Sequence, residues 1–181
     1  QQVIDENMRE VKLTLSGKFR RRFNSRNYLN TGLVFDLYDV KYKGAQYQES
    51  IGEFIQYLNS DGTTGFARLF GEWLHRFTDE LTVTTGLSSS WFLLNDSKSI
   101  EPRLGFKWSF TPGQSLNLGA GLHSQTQLKA VYFNQRLIDT TDWQYEKSNK
   151  HLDLSRSVHI VAGYDRLLGD GHRLKAEIYY Q

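Results

Sequence analysis

The stretch Ile100-Glu101-Pro102-Arg103-Leu104-Gly105-Phe106-Lys107-Trp108-Ser109-Phe110 decides the fold. Ile100, Pro102, Leu104, Phe106, Trp108 and Phe110 fall on one parity, and Glu101, Arg103, Gly105, Lys107 and Ser109 on the other. Successive side chains of a β-strand point to opposite faces. The segment therefore reads as a strand with one apolar face and one polar or charged face. Its length matters as much as its parity. A soluble sandwich is built from short strands. A strand that crosses a membrane needs about 9–11 residues, with lipid on one side and an aqueous lumen on the other.

The same alternation recurs along most of the chain. Strands are expected over residues 9–23, 28–42, 64–77, 80–95, 99–110, 115–125, 157–168 and 172–181, within one domain spanning 1–181. In the first, Val11, Leu13, Leu15, Gly17 and Phe19 oppose Lys12, Thr14, Ser16, Lys18, Arg20 and Arg22. In the last, Leu174, Ala176, Ile178 and Tyr180 alternate with Arg173, Lys175, Glu177 and Tyr179. Short turns are marked by Asn24-Ser25-Arg26-Asn27, Thr78-Asp79, Thr111-Pro112-Gly113-Gln114 and Gly169-Asp170-Gly171, where glycine and proline supply the backbone angles a tight turn needs. Residues 43–63, with an Asp61-Gly62 turn signal, and residues 126–156 read as long polar connections. Within the former, residues 51–58 fit either a short helix or a strand extension. The expected fold is all-β: an antiparallel up-and-down meander of about eight strands, forming a segment of a transmembrane β-barrel. Phe23, Tyr28, Phe77 and Phe110 flank the short turns and are placed in an aromatic girdle at that rim.

Composition limits the other classes. The chain has 181 residues, and its formal net charge of +2 comes from 22 basic and 20 acidic side chains. That balance is too even to make nucleic acid a partner. The absence of cysteine excludes disulfides, thiolate metal sites and a cysteine nucleophile. A mean hydropathy of −0.55, with no apolar run of about 18 residues, excludes membrane helices. It leaves a barrel open, because half of each barrel strand is polar. Gln1-Gln2-Val3-Ile4-Asp5-Glu6 has neither the basic start nor the apolar core of a signal peptide.

Chemistry is sparse. The five histidines, His75, His123, His151, His159 and His172, follow no zinc-ligand spacing, so neither a metal nor another cofactor is expected. No G-x-S-x-G, P-loop or complete G-x-G-x-x-G occurs; Ser124 stands where Gly119-Ala120-Gly121 would need its third glycine. The chain is therefore not expected to be an enzyme. Asn95-Asp96-Ser97 matches a glycosylation sequon and reads as a turn. Tyr132, Phe133, Trp143 and Tyr145 are the candidate ligand-binding residues, since loops on a rigid scaffold carry recognition and aromatic faces stack on ligands. The alternative is that they pack the loop against itself. Lys18, Arg20, Arg22, Arg68, Arg76, Arg103 and Lys107 lie on the polar parity. They make either a basic lumen wall that attracts an anionic ligand or faces plug carboxylates, or a solvated face with cross-strand partners such as Glu72 and Glu101.

The wording of the chain also resembles a family. Tyr57-Leu58-Asn59-Ser60-Asp61-Gly62, Phe77-Thr78-Asp79-Glu80-Leu81-Thr82 and Ser99-Ile100-Glu101-Pro102-Arg103-Leu104-Gly105-Phe106-Lys107-Trp108 resemble TonB-dependent outer-membrane receptors of the Bacteroidetes type. Gly119-Ala120-Gly121-Leu122-His123-Ser124-Gln125, Leu152-Asp153-Leu154-Ser155-Arg156-Ser157 and Leu174-Lys175-Ala176-Glu177-Ile178-Tyr179-Tyr180-Gln181 continue it, over roughly residues 55–181. The resemblance implies a 22-stranded barrel around a plug, in the bacterial outer membrane. It implies uptake of a siderophore, glycan or similar ligand, with outer-membrane lipid, the plug domain and the TonB system as partners. The chain departs from the pattern in having no recognisable plug or TonB box, and strands for only about a third of such a barrel. It reads as an internal barrel segment. Two other readings stay open: a small closed eight-stranded structural or adhesion barrel, and a soluble β-sandwich or lipocalin-like binding domain.

Overall fold

A computed structural model describes residues 3–133, 135–139, 144–147, 149–169 and 171–181. Eight strands form one antiparallel sheet: β1 (Ile4–Arg22), β2 (Asn27–Gln48), β3 (Glu53–Arg76), β4 (Leu81–Phe92), β5 (Ser97–Thr111), β6 (Gln114–Gln125), β9 (Ser155–Gly169) and β10 (His172–Tyr180). They pair in chain order, β1-β2-β3-β4-β5-β6-β9-β10. Between β6 and β9 lie a single helical turn, α1 (Lys129–Tyr132), and a two-stranded hairpin of β7 (Gln135–Asp139) and β8 (Gln144–Lys147). The sheet is an all-β up-and-down meander and it is open: β1 and β10 are its two edges and do not pair with each other.

Register carries one parity across the sheet. Leu13 faces Leu37, Leu33 faces Leu69, and Trp73 faces Thr85, which in turn faces Leu104. Beyond them Phe106 faces Leu118, Leu118 faces Ala162 and Ala162 faces Ile178. Directly opposed residues project to the same side. These side chains therefore form one continuous apolar face, here called the outer face, and Leu13, Leu33, Leu69, Leu104, Leu118 and Ile178 are all exposed on it. No described residue forms a second layer over Leu104 or Trp108, which are 54% and 46% exposed.

The rim beside the short turns is aromatic. Phe23 stacks on Trp73 at 5.3 Å, Trp108 lies 5.4 Å from Phe110, and Phe77 meets His75 edge-on at 4.4 Å. Tyr28 leaves this group. Its register, opposite Arg22 and Leu74, puts it on the inner face, with the Arg22 and Arg76 guanidinium groups over its ring at 5.4 and 5.6 Å.

Residues 43–63 are not a loop. β2 and β3 stay paired through Lys43↔Asn59 and out to Gln48↔Glu53, and the chain turns only at residues 49–52. The Asp61-Gly62 signal lies inside β3, where Lys41 faces Asp61. Of residues 51–58, the first two belong to the turn and 53–58 are the strand extension, not a helix. Asp39, Lys41, Thr63 and Asp61 follow Leu37 on the outer parity, so the apolar band ends at Leu37 while the hydrogen-bonded ladder continues into water. On this extension the Tyr57 phenol donates to Glu6.

The core sits on the inner face. Tyr38, Val40, Tyr42, Leu58 and Phe92 from β2, β3 and β4 are buried beneath Tyr132, Phe133 and Leu154 of the segment between β6 and β9. Phe92 is fully buried, 5.0 Å from the Tyr132 ring. Truncating such an aromatic side chain costs about 3–5 kcal/mol, because the cavity collapses only in part. Phe92→Ala is therefore expected to lower unfolding stability by about 3 kcal/mol in a urea titration. It should also speed protease cleavage within residues 126–156 before the strands are cut.

The Tyr57 phenol is pushed up from 10 to about 12, first by its hydrogen bond to Glu6 and then by burial. A raised folded value means that the contact stabilises below the ordinary phenol range and is lost as pH climbs through about 12. An ultraviolet pH titration of wild type against Tyr57→Phe should show one fewer phenol ionising near 10 than the number of exposed tyrosines would give, and this deficit should disappear in Glu6→Gln.

Candidate polar cleft on the inner wall

Pro102 sets the location of the cleft. Pairing between β5 and β6 runs from Trp108↔Leu116 to Arg103↔Gly121 and goes no further toward the N-terminus of β5. Proline has no N–H to give to a ladder, and a sheet accepts it only where pairing is relaxed. On the other side β4 and β5 remain paired through Leu87↔Pro102 to Phe92↔Ser97. Past Pro102, β5 and β6 are joined by side chains: the Ser99 and Ser124 hydroxyls lie 2.7 Å apart, and Ser124 also donates to Glu101.

Glu101 is the centre of this arrangement. It is 2% exposed and accepts from Ser88 at 3.1 Å, Ser90 at 3.2 Å, Ser99 at 3.0 Å, Ser124, and Arg103 Nη2 at 3.2 Å. A buried carboxylate without partners would cost several kcal/mol; hydroxyl and guanidinium donors fill its lone-pair directions and offset that cost. Arg68 approaches from β3, its Nε donating to Ser90 at 3.2 Å while its guanidinium lies 5.4 Å from the Phe66 ring. Gly121 leaves room for Arg103: a Cβ there would stand 3.1 Å from the Arg103 Cγ. His123 and His159 meet edge-on at 4.5 Å, and the Ser157 hydroxyl lies 2.7 Å from His159 Nε2. Arg68, Glu101, Arg103, His123, Ser124 and His159 are among the residues that line a cleft of about 450 Å³.

Two of the four aromatic residues expected to bind ligand are placed otherwise. Tyr132 is fully buried and Phe133 is 6% exposed; Tyr132 packs on Phe92 and Phe133 lies 5.9 Å from Tyr42. They anchor the segment to the wall and present no face to a ligand. Trp143 lies outside the described residues. Tyr145 stands on β8 opposite Leu137. Lys129, on α1, is wedged against the Tyr38 and Phe92 rings at 4.6 and 5.3 Å and donates to Thr126 at 2.8 Å. Burial holds its ammonium below the ordinary lysine value, with the Glu10 carboxylate pulling the other way. Asn95 Nδ2 donates to the Leu152 carbonyl at 2.6 Å and Arg156 to the Lys98 carbonyl at 3.2 Å, fastening the far end of the segment.

Of the basic residues on the polar parity, Arg103 pairs with Glu101, but along its own strand and not across to a neighbour, and that carboxylate is buried where a solvated partner was expected. The pairing of His123 with His159 was not anticipated. It follows from β6–β9 register, Gly121↔His159 and His123↔Ser157, which sets two histidines on one face across a gap of over thirty residues in sequence.

Removing the Glu101 carboxylate strands four hydroxyls and frees Arg103. Glu101→Ala is expected to cost about 3 kcal/mol in denaturant unfolding, and Glu101→Gln, which keeps an acceptor oxygen, about 1 kcal/mol. Equal losses for the two would mean that shape, not hydrogen bonding, holds this part of the wall. The chain matches no known family model and no curated protein sequence.

Proposed function

We propose that the chain is a wall segment of a bacterial outer-membrane uptake receptor of the TonB-dependent kind, with its outer face against lipid and its inner face lining a wet lumen. The observation that carries this reading is the uncovered apolar face. About twenty large apolar side chains, each roughly half exposed, leave on the order of 1,500 Å² of apolar surface, several times what a soluble monomer tolerates. At about 25 cal/mol per Å², covering it is worth tens of kcal/mol, so something apolar lies against it.

The dimensions favour acyl chains. Ile100 to Phe110 is ten steps of about 3.4 Å, or about 34 Å along the strand; tilted near 40° it covers about 26 Å, close to the apolar band of an outer-membrane barrel. The aromatic rim at Phe23, Trp73, Trp108 and Phe110 fits a lipid–water boundary. Arg21 supports the same placement: it lies on the outer parity, opposite Leu29, and its guanidinium caps the Phe23 ring at 5.1 Å, where a long side chain reaches the headgroup level. Open edges are costly in lipid, so β1 and β10 pair with further strands when the wall is complete.

The test is refolding of the chain with and without lipid. In liposomes holding brominated acyl chains, the fluorescence of Trp73, Trp91 and Trp108 is expected to fall by half or more. Leu104→Arg is expected to cost about 2–4 kcal/mol in the bilayer, the range for a charge near the midplane of a barrel wall. A monomer in plain buffer that ignores the quencher, and in which Leu104→Arg costs nothing, would overturn the reading.

A further inference from the structure

We infer that the cleft below Pro102 is a binding site for an oxyanion, a carboxylate or phosphate group carried by a soluble ligand. The inference rests on the reading above only in placing this face in a lumen.

Four strands bring nitrogen-bearing side chains to one place: Arg68 on β3, Arg103 on β5, His123 on β6, and His159 with Arg156 on β9. Glu101 is the one carboxylate side chain on the lining, and its oxygens are already taken by four serine hydroxyls and by Arg103. With the imidazoles neutral the lining side chains carry three positive charges against one negative, and Gln181 completes the lining. The cations are not spent on each other's partners. Arg68 uses its Nε on Ser90 and Arg103 uses one Nη on Glu101, which leaves guanidinium N–H groups on both. The Arg103 side chain remains 47% exposed.

The ligand class follows from the donors. Guanidinium forks match the planar pair of oxygens of a carboxylate and the oxygen face of a phosphate, and hydrogen bonds between charged partners are about twice as strong as neutral ones. Like charges gathered around one cleft repel, and an anion between them removes that cost. The floor is rigid, because Glu101 orients Arg103 through a saturated hydrogen-bond network and does not depend on the ligand to do so. A neutral sugar would gain only hydrogen bonds with one charged partner at most, and would leave the repulsion among the guanidinium groups in place.

The other cation-rich part of the inner face differs. Lys18, Arg20, Arg22 and Arg76 lie toward the short turns, where Arg22 and Arg76 cover the Tyr28 ring and no buried carboxylate organises them. They supply the control. The experiment titrates inorganic phosphate, citrate and glucose into the full chain refolded in detergent micelles, by calorimetry at low and at 0.5 M sodium chloride. Phosphate or citrate is expected to bind and glucose to give no heat. Arg68→Gln and Arg103→Gln are each expected to weaken binding at least tenfold, whereas Lys18→Gln with Arg20→Gln should change it less than twofold. Circular dichroism of every variant checks that the sheet is intact, and the conservative Arg103→Lys is expected to restore only part of the loss, since an ammonium cannot form the fork.

Binding that falls equally in the Lys18/Arg20 variant, or that vanishes at 0.5 M salt in all proteins alike, would reduce the site to a diffuse positive wall and overturn the inference. So would an absence of heat from both anions in a folded chain. The lipid-quenching experiment is independent of these outcomes: quenching without anion binding sinks this site alone, and anion binding without quenching sinks the membrane reading alone.

Discussion

Antiparallel pairing that holds one parity from β1 to β10 is the constraint on which everything else in this protein depends. Each strand passes its neighbour a register in which directly opposed residues share a face, as in Leu33↔Leu69 or Val83↔Phe106. A slip of one residue anywhere would send the apolar set of every later strand to the wrong side. The irregularities that do occur lie away from the middle of the sheet: between Gly44 and Ala45 beyond the apolar band, between Trp108 and Thr111 at the turn, and between His172 and Arg173 at the last hairpin. Bulges are tolerated where they bend the sheet without reversing the faces that matter.

The outer face is greasy and uncovered, and the core formed by the described residues lies on the inner side. It is small, and it is built by a segment that leaves the sheet after β6 and returns before β9. Tyr132, Phe133 and Leu154 supply its roof, and Tyr38, Val40, Tyr42, Leu58 and Phe92 its floor. Tyr132 packs its ring there and accepts the backbone N–H of Gln127 at 3.1 Å, so the single polar atom on the ring is satisfied. The inner wall is thus divided in height. An apolar, aromatic zone lies under the folded segment, a serine–carboxylate–guanidinium zone lies beside it, and a zone of lysine and arginine lies toward the short turns.

The parts of this arrangement that were legible in the sequence are those where one face meets something apolar and the other meets water. The alternation over residues 99–110 gave a strand that extends in the structure from Ser97 to Thr111. Where the outer parity turns polar, at Asp39, Lys41, Asp61 and Thr63, the alternation fades, and residues 43–63, although paired on either side of the turn at 49–52 and holding the buried Leu58, read as a loop for that reason. Tyr28 stands beside a turn, as the rim residues do, but its parity and not its place along the strand decides which face it takes. Tyr132 and Phe133 carried no signal that would separate a ligand-stacking aromatic from a roof over Phe92; that difference lies in a long-range contact. The polar cleft was half visible. Glu101 and Arg103 were legible as charges on the inner parity, but the meeting of His123 with His159 required knowing that β6 pairs with β9 across the intervening segment.

Pro102 ties the wall's architecture to its chemistry. It stands on the outer parity, opposite Leu87, where its ring adds to the apolar face. Its missing N–H and the end of β5–β6 pairing lie together, and the gap left between the two strands is where Ser99, Glu101 and Ser124 meet. Each lost ladder bond is worth about 1 kcal/mol net. The five contacts to Glu101 are stronger individually, because one partner is charged, and they repay the loss as long as the carboxylate stays buried and full. A strand that paired along its whole length would give a smooth wall of alternating side chains with no recess. One residue without a donor turns part of that wall into a depression. The carboxylate that heals the break fixes the guanidinium standing at its mouth. Stability and recognition are in this way supplied by the same few side chains, and neither follows from the alternation that built the sheet.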